Sequence, residues 1–402
     1  MSTAPVGAQA ATLDVKAAYR TIPVVPMHKR FIIVGCDGLF WMDHNVPFGL
    51  ATSSGMQGEV ADATIDIWVK MGVEPAVKWV DDFVVFRFPV LRDGDSMIMD
   101  SRGDFHYSYD LEGAKRMIAP LGIPWHATKG QDFAFDFPYL GFWWSLSDRT
   151  VTLTDEKRIR FKAKVDMFLD RFASSPCTRL DAMKVNGSLS HITMVYPGGR
   201  AYLPNICKFI SSFKGPHQLL HPGHRTKTDL KWWSLILAKP SIARSLVPRG
   251  DPVDLNFWMD ASSSWGIGLL CEGRWAAWKW LDGWESDFRE IGWAESVAVE
   301  LAVRLVDARD WSNLHVLLRS DNQGVIGAYR RGRGRNPEIN DSIRRVDIIG
   351  STRNICFSFI YVESEANLAD PISRGILGHP ELQLPDIPLP VELSPYIVRV
   401  HD

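Results

Sequence analysis

Hydrophobic and polar positions follow two different periods along this chain. The segment Lys78-Trp79-Val80-Asp81-Asp82-Phe83-Val84-Val85-Phe86 is a strand-like apolar run broken at its middle by two adjacent carboxylates. Successive strand side chains point to opposite faces, so the pattern predicts a tight hairpin with the Asp-Asp pair at its tip. Phe31 to Val34 and Leu39 to Met42 flank Asp37-Gly38, a second hairpin signal. Residues 56–71 have helical spacing, with Met56, Val60, Ala63, Ile67 and Met71 on one side and Ala61, Ile65 and Trp68 on the other. Apolar residues on two faces predict a buried helix. Leu111, Ala114, Ile118 and Leu121 mark an amphipathic helix closed by Gly122 and Pro124. Residues 91–106, rich in Gly and Asp, read as a surface excursion, and the first eleven residues as disordered.

From Asp155 the pattern turns helical and basic. Val165, Phe168, Leu169 and Phe172 form an apolar face, with Lys157, Arg158, Lys162 and Lys164 nearby. Residues 215–250 read as a Pro/Gly-rich linker around one Trp-rich helix. Strands follow at Val253 to Asp260, Trp265 to Leu270 and Arg274 to Trp280. After them come a helix over 293–309, a strand at His315 to Ser320, a helix at Gly324 to Arg330 and a strand at Ile355 to Val362. The tail from Gly375, with five prolines among apolar residues, is expected to be extended and docked on the surface.

Composition changes this picture little. With 402 residues, 46% hydrophobic and 23% charged, the chain has an ordinary globular make-up for two or three domains. A net charge of −2 excludes a uniformly basic nucleic-acid coat, so such binding would rest on local patches. Two are visible: six Lys/Arg against one acid over 200–231, and six arginines over 330–345 around Gly332 and Gly334. The 16 tryptophans fit aromatic-rich cores best. Five scattered cysteines without a Cys-x-x-Cys pair read as reduced thiols. Met1 to Ala11 lacks signal-peptide features and no 18-residue apolar run occurs. A soluble intracellular protein of cytoplasm or nucleus, neither secreted nor membrane-bound, is expected. His217, His221 and His224 with Cys207 match no standard zinc spacing.

The acids carry the candidate chemistry. Two carboxylates inside so apolar a run repel each other and are costly to desolvate, and a divalent cation removes that cost. Taken alone, Asp81-Asp82 also fits a solvated turn. Asp260 and Asp321 close predicted strands, Glu295 lies on a predicted helix, and Asp370 follows the last strand; any one alone also fits a cap or surface acid. Together the order of motifs resembles a reverse transcriptase palm. Asp14 to Tyr19 looks like its first motif, Pro47 to Gly55 its second, and Trp79 to Asp82 its x-x-Asp-Asp motif. Leu121-Gly122, Lys129 and Tyr139-Leu140-Gly141-Phe142 look like the next two. Asp260, Glu295, Asp321 and Asp370 resemble the four acids of RNase H, and the wording is closest to DIRS-type and gypsy-like retroelements over roughly residues 12–375.

The resemblance implies an α+β reverse transcriptase palm with a helical thumb. An α/β RNase H-like domain on a mixed five-stranded sheet would follow. It divides the chain into a disordered 1–11, a palm at 12–154, a thumb and connection at 155–250, an RNase H-like domain at 251–376 and a tail at 377–402. It implies an RNA-directed DNA polymerase with RNase H activity, acting on RNA template, DNA primer, RNA/DNA hybrid and dNTPs through two Mg²⁺ (or Mn²⁺) ions per site. Asp14, Asp81 and the Val15 carbonyl would hold ions, with Asp82 in support. Tyr19 would be a steric gate, Phe48 and Gly49 would line the nucleotide pocket, Lys129 would approach the leaving phosphate, and Tyr139 with Gly141 would support the primer end. The palm starts at its first catalytic strand, so a missing fingers subdomain and weak polymerisation are expected. No histidine precedes Asn367, where many RNases H place one; Ser364 and Glu365 stand there. A non-catalytic nucleic-acid scaffold and a nuclease-only remnant are the rival readings.

Overall fold

Small side chains let strand β1 (Gln9–Val15) run between two neighbours, with Ala10 and Ala11 fully buried. It thus begins inside the stretch expected to be disordered. The computed structural model describes residues 1–92, 96–97, 99, 104–247 and 249–401, so much of the expected 91–106 excursion lies outside the described residues. The fold is mixed α/β, in two compact units: Met1–Asp155 with Ser241–Pro248, and Glu156–Pro240 with Arg249–Asp402.

In the first unit, the hairpin β2 (Ile33–Cys36) and β3 (Leu39–Met42) turns at Asp37-Gly38, both with positive φ, as its sequence predicts. Helix α1 (Ser53–Lys70) precedes the hairpin β4 (Ala76–Trp79) and β5 (Asp82–Arg87). Helix α2 (Leu111–Met117) starts at Asp110, whose carboxylate caps Gly113 N–H. Strand β6 (Trp125–Ala134) completes a sheet of order β4-β5-β1-β6. A second sheet holds β7 (Asp136–Tyr139), β8 (Phe142–Ser145), β9 (Thr150–Leu153) and β10 (Ala243–Ser245) in the order β10-β9-β8-β7. The apolar core joins β1, Phe83 and Val85 of β5, Trp68 of α1 and Leu111 and Ala114 of α2; Trp68 also donates its indole N–H to Ala114 O at 2.8 Å. Helix α1 is buried on one face only. Ala61, Thr64 and Trp68 meet the core, while Met56, Val60, Ala63 and Met71 are exposed, so the expected two-faced burial does not occur. Apolar spacing reports which positions are able to pack, and here the core covers one side.

The second unit begins with helices α3 (Asp155–Arg171), α4 (Arg179–Ile192), α5 (Pro204–Ser211) and α6 (His224–Leu237). Strands β11 (Val253–Ala261), β12 (Gly266–Cys271) and β13 (Arg274–Trp280) form an antiparallel meander. After α7 (Ile291–Ala308) come β14 (His315–Ser320), α8 (Gln323–Arg331), α9 (Pro337–Arg353), β15 (Cys356–Tyr361), the short α10 (Asp370–Ser373) and β16 (Ile397–Arg399). The sheet order is β15-β14-β11-β12-β13-β16, with β11, β14 and β15 parallel. Six strands stand where five were expected, because the tail supplies one. Leu384, Ile387, Leu393 and Ile397 sit in the main core, so the tail is part of that core and not a surface strap. Helix α7 is buried almost all round, which its run of apolar residues requires. No helix among the described residues is long and apolar enough to cross a membrane.

The basic face of α3 is largely spent inside its own unit. Lys162 pairs with Asp166 at 2.6 Å, Lys164 donates to Ser188 Oγ at 2.7 Å, Arg158 donates to Leu237 O at 3.1 Å, and Lys157 approaches His191 Nε2 at 3.4 Å.

Candidate functional site

The parallel register of β11 with β14 pairs Trp258 with Arg319, so two residues on Asp260 stands beside Asp321. Helix α7 packs against β11 and brings Glu295 to the same place. One carboxylate oxygen from each of Asp260, Glu295 and Asp321 lies within 4.8 Å of the others, and among the described residues no other such group of three occurs. Asp260 and Glu295 are 3% and 5% exposed. Burial, the nearby charges of Asp321 and Asp370 and a counteracting Ser373 hydroxyl set Asp260, whose carboxyl is pushed up to about 6. Burial first, then Asp260 and Asp321, hold Glu295 well above the usual carboxylate range. Glu295 Oε2 and Asp321 Oδ1 are buried without a hydrogen-bond partner among the described residues. Buried, mutually repelling, oxygen-only donors with two orphaned atoms fit a hard divalent cation.

Neutral donors hold both oxygens of Asp260 and one of Asp321. Ser373 Oγ donates to Asp260 Oδ2, Asn367 Nδ2 to Asp260 Oδ1 at 3.2 Å, and Ser364 Oγ to Asp321 Oδ2 at 2.5 Å. Ser364 therefore contacts an acid from the stretch before Asn367 that holds no histidine. Gly268 permits this arrangement: a Cβ there would meet Ser373 N at 2.5 Å and Ala369 O at 2.6 Å, so only glycine lets α10 lie on β12. Asp370, the fourth acid, falls outside the group of three and is engaged in a two-pronged pair with Arg374. Sequence reasoning missed Ser373 and Arg374, although their spacing of three and four from Asp370 is that of helical neighbours.

In the first unit, Asp14 and Asp82 are directly opposed across β1 and β5, and Asp81 sits in the two-residue turn before Asp82. Val80 in that turn has φ +55°, a strained conformation for a β-branched residue. Val15 N–H donates to Asp81 O at 3.0 Å, which ties the turn to β1. Lys129 Nζ lies 3.3 Å from Asp14 Oδ2. Gly130 makes this possible: its φ is +100°, and a Cβ would stand 2.5 Å from Thr12 O. Burial, then Asp81 and Asp14, raise the Asp82 carboxyl, with Lys129 opposing. Two cavities open on Asp14 and Lys129. One of 450 Å³ is lined by Trp79, Asp82, Tyr139 and Gly141 among others; one of 240 Å³ is lined by Val15, Tyr19, Phe48, Asp81 and His126. Tyr19 meets Phe48 edge-on at 5.0 Å. Burial, then Asp82, pushes the Tyr139 hydroxyl up to about 12. Tyr139 and Gly141 belong to the β7–β8 hairpin, whose turn is Leu140-Gly141. Gly49 lines neither cavity; it has φ +90° with open space around it.

No family model matches this chain, and no curated protein matches it. Among solved structures it is similar to the foamy viral protease-reverse transcriptase in complex with an RNA/DNA hybrid, at TM-score 0.43 and 15% identity, over 89% of this chain and 44% of that one. It is also similar to the dRH form of that protein in complex with double-stranded DNA (TM-score 0.41, 14% identity, 88% and 57%) and to the protein with double-stranded DNA (TM-score 0.41, 16% identity, 89% and 68%). The chain thus spans less than half the length of the first of these proteins.

Proposed function

We propose that the Asp260, Glu295, Asp321 and Asp370 centre is a divalent-metal nuclease site that cuts the RNA strand of an RNA/DNA hybrid. The first unit would add a nucleotidyl-transfer site of the RNA-directed DNA polymerase kind. The supporting observation is the buried group of three carboxylates, with two oxygens that no protein donor satisfies. In the nuclease site the three acids and Asp370 would hold Mg²⁺ or Mn²⁺, while Ser373 and Asn367 hold the two Asp260 oxygens and Ser364 holds Asp321 Oδ2, which leaves Asp321 Oδ1 and Glu295 Oε2 for the ion. In the first unit Asp14, Asp81 and the Val15 carbonyl would hold ions and Asp82 would support them. Tyr19 and Phe48 would line the sugar side of the pocket, Lys129 would meet the leaving phosphate, and Tyr139 and Gly141 would support the primer end. Divalent ions at such sites lower the pKa of the attacking hydroxyl or water and neutralise phosphate charge.

Phosphate contacts would come from Arg331, the last residue of α8, and from Arg333 and Arg335 beyond it, the three alternating with Gly332 and Gly334. All three are exposed, and none has an ion pair among the described residues. Discrimination in favour of RNA would rest on A-form shape and the 2′-hydroxyl. The test is cleavage of a labelled hybrid with Mg²⁺ or Mn²⁺, alongside primer extension, for the full chain and for Asp321→Asn and Asp81→Asn. The expected result is that the full chain cleaves the hybrid and extends only weakly, that Asp321→Asn stops cleavage and leaves the weak extension, and that Asp81→Asn does the reverse. Hybrid binding without either activity would replace this reading with that of a non-catalytic scaffold.

A further inference from the structure

The turn that carries Asp370 also aims a cation back at it. Arg374 lies four residues on, its Nε 3.0 Å from each Asp370 oxygen and its Nη2 2.8 Å from Oδ1. Among the described residues no other cation is paired with any of the four acids, and the guanidinium also feels the charges of Asp260 and Asp321. The backbone of this turn is fixed. Ser373 donates to Asp260, its carbonyl accepts from Ser262 Oγ at 2.6 Å, and Gly375 at φ +86° closes the turn under the Trp265 ring. The Arg374 side chain, by contrast, is 58% exposed, so its pair with Asp370 is open to solvent.

We infer that Arg374 is a built-in counter-ion that holds Asp370 and must yield it before a second divalent ion enters, an inference that rests on the nuclease reading. Charge balance gives the reason. Four ionised carboxylates with Arg374 and one divalent ion leave one negative charge. A second ion added beside Arg374 would leave one positive charge, whereas departure of the guanidinium leaves the cluster neutral. The first ion, held by Asp260, Glu295 and Asp321, does not compete with Arg374. The second, which needs Asp370, does. The centre therefore takes its ions in two unequal steps.

Titration of the full chain with Mn²⁺, followed by calorimetry and by the electron paramagnetic resonance signal of the free ion, tests this. In Arg374→Gln the second dissociation constant should fall about two- to five-fold, the range an exposed ion pair confers, with the first unchanged. Arg374→Lys, which keeps the charge but not the fork, should move it less. Asp370→Asn should lose the second step. Equal second-step affinity in wild type and Arg374→Gln would overturn the inference. Loss of the first step in Arg374→Gln would also overturn it, because Arg374 would then build the cluster and not guard it. Absence of Mn²⁺ binding in every form at millimolar ion would overturn the nuclease reading itself.

Discussion

Removing charge from the buried acid centre should stabilise the metal-free protein, and the structure sets the scale. The Asp260 carboxyl is raised from its ordinary 3.8 to about 6, chiefly by burial, and Glu295 moves in the same direction. Each pKa step of one corresponds to about 1.4 kcal/mol, so an ionised Asp260 costs the fold about 3 kcal/mol at neutral pH. A raised carboxyl binds its proton more tightly in the folded state. Its contribution is fully present below pH 3.8, is lost as pH rises through about 6, and is absent at pH 8. The metal-free protein should therefore gain stability from these acids on going from pH 8 to pH 5. Metal ions need the ionised form, so Mg²⁺ should raise the melting temperature at pH 8 and much less at pH 5. Asp260→Asn keeps the shape and removes the charge. Without metal at pH 8 it should melt higher than wild type by roughly 6–12 °C, taking about 2–4 °C per kcal/mol for a unit of this size. It should also lose the Mg²⁺ response. Differential scanning calorimetry at the two pH values, with and without Mg²⁺, decides the matter. An Asp260→Asn variant that melts lower than wild type in all conditions, or a Mg²⁺ shift equal at pH 5 and pH 8, would refute the reasoning.

Three further outcomes are expected. Leu393 is 1% exposed in the main core, so Leu393→Ala should cost about 2–5 kcal/mol in urea denaturation; an unchanged midpoint would return the tail to a surface role. Replacing Arg331, Arg333 and Arg335 with Gln should flatten the salt dependence of hybrid binding by about 0.9 per lost phosphate contact, whereas replacing Lys162 and Lys164 should not. The reverse pattern would identify α3 as the binding face. Gly130→Ala, strained at φ +100° and driven against Thr12 O, should lower the melting temperature and abolish binding of a fluorescent triphosphate analogue to the first unit. Retained binding would mean that the Asp14 and Lys129 cavities are not the nucleotide pocket.

The strands of the second unit were legible because their apolar runs are bounded by turn residues; Arg274 to Trp280 has the same limits in sequence and structure. Helix α9 was not legible. Its buried residues include Asn340, Ser342 and Gly350, because it packs over the charged Glu300 and needs polar side chains there. A helix whose covered face is half polar shows no apolar stripe to read. The tail was misjudged for a different reason. Its apolar residues are spaced by prolines with no period, so only docking reveals which of them are covered. The acids were readable from their positions at strand ends and on α7. Ser364, Asn367 and Ser373 were not, since a polar donor that orients a carboxylate looks in sequence like any loop residue.

Helix α9 also explains why the helices of 156–240 share one compact unit with the acid-bearing sheet. Its two adjacent arginines serve different neighbours. Arg345 makes two hydrogen bonds of 2.7 Å to the fully buried Glu300 on α7, five residues beyond Glu295. Arg344 donates to Ala201 O at 2.8 Å and to Asp229 Oδ1 on α6 at 2.9 Å, and lies over the Tyr202 ring at 4.2 Å. Tyr202 in turn stacks on Trp232 at 3.5 Å. Burial pushes Asp229 up to about 6 even with Arg344 and Asn205 opposing it, so this pair is held against a large desolvation cost. Such pairs add little net stability when intact, but removing one partner costs about 3–5 kcal/mol, because a buried charge is left uncompensated. The helical segment is therefore fastened to the same helix that fixes the axial position of α7, and with it Glu295. Cutting the chain at residue 250 would leave Arg344 with Asp341 as its acidic partner and would strip α9, the helix that holds Glu300 on α7, of its contacts with Asp229 and Ala201.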